Sequence, residues 1–194
     1  MPSIAADETP AGYLPLSSFG VAPTAVQDES IINFDTPAFV YAGQTFTSVG
    51  VTSNGYLVVG DGGTGEDVAF ESPGIPNPAR PDNVLAPFWT DLNGEGAEGV
   101  RVTSLSDGTN DWVVAEWNVN VFGTTSNRHF QVWIGANGTE DISYAYDPAA
   151  LPATSGFPTV VGAENINGTG GHQLPAGTLP TEDLRGHQHR PGTR

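Results

Sequence analysis

Short apolar runs separated by turn residues dominate this chain and predict strands rather than helices. The densest run, residues 84–89, reads VLAPFW and is followed at once by an acidic, glycine-rich stretch. Six apolar residues bounded by turn signals are typical of a strand buried on both faces, because the run is too short for an ordinary helix. Pro87 cannot donate a ladder hydrogen bond, so we expect it at a bulge, a bend or a strand start.

Alternating apolar and polar positions predict further strands on both sides of this run. Asn54-Gly55 predicts a tight hairpin with a primed turn, because both central residues of that turn need positive φ. Roughly nine or ten strands with turn signals every 8–12 residues are typical of a sandwich or jelly roll. The predicted fold is therefore all-β: one antiparallel, jelly-roll-like β-sandwich with long loops. The clearest strands are at 45–51, 56–59, 84–89, 99–105, 112–122, 129–134, 142–146 and 159–164.

Local composition divides the chain into three parts. Residues 1–18 are small, polar and proline-containing, which predicts a flexible N-terminal arm. Residues 19–184 hold the strands, and residues 185–194 are polar, which predicts a disordered tail. Inside the sandwich, residues 60–82 form an irregular loop long enough to be functional or mobile. The largest predicted core side chains are Trp89, Trp112, Trp117 and Trp133.

Charge and cysteine content exclude several classes of function. Asp and Glu total 22 against 6 Lys and Arg, which gives a net charge of −16. Such a surface repels nucleic-acid phosphates and anionic lipid headgroups, but it suits hard cations such as calcium. The chain has no cysteine, which excludes thiol chemistry and disulfides. No apolar run is long enough to span a bilayer, so we expect no membrane insertion.

Two acidic loops are candidate calcium sites. Asp91, Asn93 and Glu95 offer side-chain oxygens at alternate positions in a glycine-rich loop, and calcium takes six to eight oxygens. The glutamate of an EF-hand is missing, so any such site is of another kind. The commoner arrangement for such a loop is a plain turn, with Asp91 accepting backbone N–H bonds and the other acids solvated. A second candidate cluster is formed by Asp61, Glu66 and Asp67.

No motif of a known catalytic centre is present, and we expect a protein that is not an enzyme. Residues 123–126 read GTTS, which is not the serine motif of subtilases, and no GxSxG elbow occurs. Glu116 and Glu164 are candidate acids for a glycosidase pair, which would need a shared cleft. Tryptophans or tyrosines exposed on a sheet face would instead favour a carbohydrate-binding module.

Three strings carry a family resemblance. Residues 50–57 (GVTSNGYL), 85–92 (LAPFWTDL) and 130–134 (FQVWI) resemble the β-rich region that follows the catalytic domain in secreted actinobacterial subtilisin-like serine proteases. More distantly, the SNG hairpin, the APFW-D strand and the FQ strand resemble the nidogen-type extracellular domain in the same order. The resemblance covers roughly residues 12–184. The resemblance implies a non-catalytic, secreted, all-β accessory domain. It implies no particular ligand.

The amino terminus permits two interpretations. Residues 1–8 lack the basic segment and apolar core of a secretory signal. The protein is then either intracellular, or a chain that begins after a removed signal or within a longer polypeptide, and the composition favours the second. We expect a secreted accessory domain of a subtilisin-like protease with an unknown protein or polysaccharide as its partner. An adhesion or structural protein of the cell exterior and a carbohydrate-binding module are the alternatives.

Overall fold

The computed structural model describes residues 3–6, 12–138, 141–150 and 156–187. Within these ranges the helical elements are two short 3-10 helices, Leu16–Phe19 and Gly65–Val68. None of the described residues belongs to a helix long and apolar enough to cross a membrane. The strands are β1 (Ser3–Ala6), β2 (Ile31–Tyr41), β3 (Gln44–Thr52), β4 (Leu57–Val59), β5 (Val84–Trp89), β6 (Leu92–Asn93), β7 (Gly99–Ser106), β8 (Asp111–Val121), β9 (Asn127–Gly135), β10 (Asp141–Tyr146), β11 (Val160–Glu164), β12 (Gly171–Gln173) and β13 (Leu184–His187).

The strands form two antiparallel sheets that pack face to face. The first sheet has the order β1-β13-β10-β9-β8-β6, and β7 also pairs with β8. The second sheet has the order β12-β11-β5-β4-β3-β2. The predicted all-β sandwich is therefore confirmed.

Strand β5 lies inside the second sheet, and all six of its residues are buried. Its side chains alternate between the inter-sheet core and an outer apolar cluster, as expected for a run that is apolar on both faces. Opposite β11, Trp89 pairs with Val160 but Ala86 pairs with Gly162, so β5 holds one extra residue between these positions. Pro87 lies in this bulge, as predicted, where a missing N–H costs no regular ladder bond.

The hairpin at Asn54-Gly55 exists, but its predicted primed turn is wrong. Four residues join β3 to β4, and of the pair only Gly55 has a positive φ, at 75°. Asn54 is fully buried, where its Oδ1 accepts the Leu92 N–H at 3.0 Å and its Nδ2 donates to the Val68 carbonyl at 3.0 Å. A Cβ on Gly55 would lie 2.1 Å from the Phe88 carbonyl oxygen. The turn is therefore shaped by its contacts with distant loops rather than by its own φ preferences.

The four tryptophans fill three different apolar layers. Trp117 lies between the two sheets, whereas Trp89 packs on Tyr56 against the outer face of the second sheet, with ring centroids 4.1 Å apart. Trp112 and Trp133 pack edge to face on the outer face of the first sheet. All four are buried, as predicted, but only one of them reaches the inter-sheet core, since side chains on a strand alternate sides.

The domain boundaries differ from the prediction where the structure describes them. Leu16 lies within the predicted arm, yet it is fully buried against Trp112 and Trp133. It belongs to the packed domain because its side chain covers apolar surface that the outer face of the first sheet would otherwise expose to water. Strand β13 enters the predicted tail and pairs with β10 and β1. Strand β1 (Ser3–Ala6) of the predicted arm pairs with β13 as well, and residues 1–2, 7–11 and 188–194 lie outside the described residues.

Candidate functional site

The Asp91 loop lies against a second loop that the sequence did not associate with it. A Cβ on Gly94 would lie 2.1 Å from the carbonyl oxygen of Val26, so only glycine permits this approach of the two loops. We call loops 26–30 and 91–96 together the acidic corner. It brings Asp28 and Glu29 near Asp91, across more than sixty residues of chain.

Burial is the main cause that raises the pKa of Asp91, and the charges of Asp28 and Glu29 raise it further. Burial likewise raises the pKa of Asp28, with Glu29 and Glu95 adding to the effect. Both carboxyl groups are therefore surrounded by like charge.

The three predicted calcium ligands of this loop differ in their contacts and in their exposure to solvent. The Asn93 Oδ1 accepts the Glu95 N–H at 2.7 Å, which is a local turn, and the side chain of Glu95 is exposed. Asp91 is only 9% exposed, and no hydrogen bond to its carboxylate occurs among the described residues, so it does not cap the turn. Sequence reasoning missed Asp28 and Glu29 because no local spacing links them to Asp91.

The second predicted cluster is held by an arginine. Asp67 is 2% exposed, and its carboxylate accepts the Arg80 Nε at 3.1 Å, the Arg80 Nη2 at 2.6 Å and the Gly63 N–H at 2.8 Å. Asp61 and Glu66 are exposed. This arrangement is a structural ion pair inside the long loop, and it leaves Asp67 without a free oxygen pair for a cation. Across the described ranges no three acidic or histidine side chains converge closely enough to hold a metal ion.

The two candidate glycosidase acids lie on opposite outer faces of the sandwich. Glu116 alternates with the core residues of β8, and Glu164 alternates with those of β11 in the other sheet. Glu116 accepts hydrogen bonds from the Arg101 Nη1 at 3.1 Å, the Gln131 Nε2 at 2.8 Å and the Leu16 N–H at 2.9 Å. The two carboxyl groups cannot share a cleft, and Glu116 serves to fasten the N-terminal segment to the first sheet.

A groove of about 430 Å³ opens beside β11 and β12. The Gln173 side chain lies in it and also accepts the Ile75 N–H at 2.7 Å, which fixes its orientation. Phe157 is 37% exposed at the groove. The other lining residues are small or apolar: Ser72, Pro73, Gly74, Pro158, Thr159, Val160, Ala176, Gly177 and Leu179.

A comparison with protein families identifies the family of this chain. The family model described as NIDO related matches residues 7–181, which is most of the chain. The chain belongs to the NIDO-related family. Domains of this family are typically extracellular, which agrees with the nidogen-type resemblance of the hairpin and strand strings. No curated protein and no solved structure matches this NIDO-related domain significantly.

Glu164 of the NIDO-related domain gives a testable dependence of stability on pH. It is 1% exposed, and burial raises its pKa from 4.5 to about 7, opposed by the Asn77 N–H bond and assisted by Asp82. The folded state therefore holds a proton that the unfolded state has lost between these two pH values. Stability is expected to fall as pH rises through this window, by about 3 kcal/mol in total.

Glu164→Gln removes this titration. We expect the variant to match the parent in urea unfolding near the unfolded pKa of 4.5 and to be more stable than the parent above pH 7. Glu66→Gln, at an exposed position, is the matched control and is expected to follow the parent at every pH. A difference between Glu164→Gln and the parent that stays constant with pH would contradict the prediction.

Proposed function

We propose that this chain is a non-catalytic, secreted domain that binds another polypeptide, as an accessory domain of a subtilisin-like protease. The observation that carries the proposal is the match to the NIDO-related family over residues 7–181, because domains of that family are typically extracellular. The link to a protease is supported by the three strings at residues 50–57, 85–92 and 130–134. A further support is the use of Glu116 in fastening the fold rather than in an open cleft.

The groove beside β11 and β12 is a surface that suits a polypeptide. Its volume of about 430 Å³ falls within the range of ligand pockets in proteins. Aromatic side chains such as Phe157 supply large contact area at interfaces, and the fixed amide of Gln173 offers a polar contact for a backbone. The partner segment would therefore be an extended stretch with at least one apolar side chain.

A carbohydrate-binding module is less well supported. That alternative depended on tryptophans or tyrosines exposed on a sheet face, where they stack on sugar rings. Tyr41, Tyr56, Tyr144 and Tyr146 are all buried. The most exposed of the four tryptophans, Trp112, is only 7% exposed, and the others are at or below 3%. This domain therefore exposes no tryptophan ring on which a sugar could stack.

The prediction for the groove concerns Phe157. The wild-type chain is expected to bind a secreted subtilisin-like protease from the same source, with the protease's active-site serine chemically blocked. Phe157→Ala is expected to raise the dissociation constant about tenfold, because it removes the main aromatic contact of the groove. Isothermal titration calorimetry measures both constants.

Phe122→Ala is the matched control, since Phe122 is also an exposed aromatic, at 40%, but lies after β8, away from the groove. It is expected to bind like the wild type. Absence of binding by the wild-type chain would contradict the protease association, and retention on intact cells in its place would favour the adhesion alternative. Equal losses in both variants would contradict the role of the groove.

A further inference from the structure

Asn-Gly pairs occur at four places in this chain: residues 54–55, 93–94, 137–138 and 167–168. Such a pair can react with itself, because glycine has no Cβ that would keep its backbone nitrogen away from the side-chain carbonyl carbon of the preceding asparagine. The reaction needs a glycine nitrogen that is free to move and a backbone that can bend locally. The fold therefore decides which of the four pairs reacts, since packed segments rarely open.

The fold restrains three of these pairs. Asn54 is fully buried, and both polar atoms of its side chain are hydrogen-bonded. The backbone at Gly94 is packed so closely that a Cβ there would lie 2.1 Å from a carbonyl oxygen of the neighbouring loop. The Gly168 N–H donates to the Asn165 carbonyl at 3.0 Å, and a Cβ on Gly168 would lie 2.0 Å from the Asn77 carbonyl oxygen. Each pair must break such contacts before its glycine nitrogen can attack.

The pair Asn137-Gly138, which follows strand β9, is not restrained in this way. Both residues are exposed to solvent. Apart from its chain neighbours, a Cβ on Gly138 would have no described heavy atom within 4 Å, so the backbone has room to bend. No described residue accepts a hydrogen bond from the Gly138 N–H. This glycine nitrogen is therefore available for reaction at the surface.

We propose that Asn137 is a site of spontaneous deamidation in the folded protein. The Gly138 nitrogen loses its proton to solvent base and attacks the Asn137 Cγ, and the new C–N bond closes a succinimide ring. The side-chain amide nitrogen takes up a proton and leaves as ammonia. Water then opens the ring at either carbonyl, which gives aspartate or isoaspartate. Water is the only co-reactant, and nothing is oxidised or reduced.

Deamidation at this position breaks a contact between two turns of the first sheet. The Asn137 Nδ2 donates to the Thr109 carbonyl at 2.9 Å, and Thr109 lies in the turn between β7 and β8. Aspartate and isoaspartate have a carboxylate in place of this donor, and a carboxylate oxygen beside a carbonyl oxygen is repulsive. Isoaspartate also adds one carbon to the backbone between β9 and β10. The product carries one more negative charge on a chain whose net charge is already −16.

The test is incubation of the full chain in mildly alkaline buffer at body temperature, without urea and in enough urea to unfold it. Peptide mapping by mass spectrometry measures aspartate and isoaspartate at each of the four asparagines over time. In the native chain, Asn137 is expected to react at least about tenfold faster than the other three, because those must first break packing and hydrogen bonds. In urea, all four are expected to react at similar rates, since each is followed by glycine.

Asn137→Gln is the matched variant, because glutamine keeps an amide at this exposed position but can close only a larger ring. The variant is expected to lose the fast release of ammonia from the native chain. A native chain in which another asparagine reacts as fast as Asn137 would overturn the proposal. So would an Asn137 that stays intact in the native chain, or protection of the other three that persists in urea. The chain is tested alone, so the outcome is independent of the protease proposal.

Discussion

Trp117→Ala is expected to lower the free energy of unfolding by about 4 kcal/mol. Trp117 is fully buried between the sheets and stacks on Phe130 with ring centroids 5.2 Å apart. Its Nε1 also donates to the Thr52 carbonyl at 2.7 Å, which ties the first sheet to the second. Alanine would therefore leave a cavity in the inter-sheet core and an unpaired carbonyl beside it. Urea unfolding followed by circular dichroism measures the loss.

One further variant separates the loss of the hydrogen bond from the loss of ring volume, and a second serves as a control. Trp117→Phe keeps most of the ring volume but loses the N–H donor, and we expect about half of the loss. Phe19→Ala truncates an aromatic that is 53% exposed, and we expect a change below about 0.5 kcal/mol. A loss below about 1 kcal/mol for Trp117→Ala would show that the inter-sheet core does not depend on this side chain.

Arg101→Met is expected to lower the free energy of unfolding by about 3 kcal/mol. The Arg101 side chain is 5% exposed and pairs with Glu116, which is 3% exposed. Methionine fills a similar volume, but it leaves the carboxylate of Glu116 buried without its counter-charge. The Arg101 Nε also donates to the Val21 carbonyl at 3.0 Å, so the N-terminal segment loses one of its attachments.

Glu98→Gln tests whether burial decides this effect. Glu98 pairs with the same guanidinium at 2.6 Å, but its side chain is 56% exposed, and we expect its neutralisation to cost less than about 1 kcal/mol. The double variant Arg101→Met/Glu116→Gln is expected to recover part of the loss, because it removes the unpaired charge and keeps an acceptor for the Leu16 N–H. Equal costs for Arg101→Met and Glu98→Gln would contradict the argument.

Most of the strands could be predicted from the sequence because they follow from local periodicity, but the short strands β1, β6, β12 and β13 were not. Residues 84–89 form a strand buried on both faces, since their apolar run has no polar side to expose. Pro87 lies at a bulge because its ring removes a ladder donor wherever it is placed. The calcium ligands, the absence of catalysis and the protease link remain predictions that the fold by itself does not decide.

The sequence alone determined the two-sheet architecture, since alternation and turn residues act within a few positions of each other. Only the tertiary structure decided which side chains meet. It placed Glu116 and Glu164 on opposite faces, assigned Asn54 to distant loops rather than to a primed turn, and brought Asp28 to Asp91. These pairings depend on how the two sheets pack against each other. Contacts between residues more than sixty positions apart cannot be recognised from the local spacing of residues in the sequence.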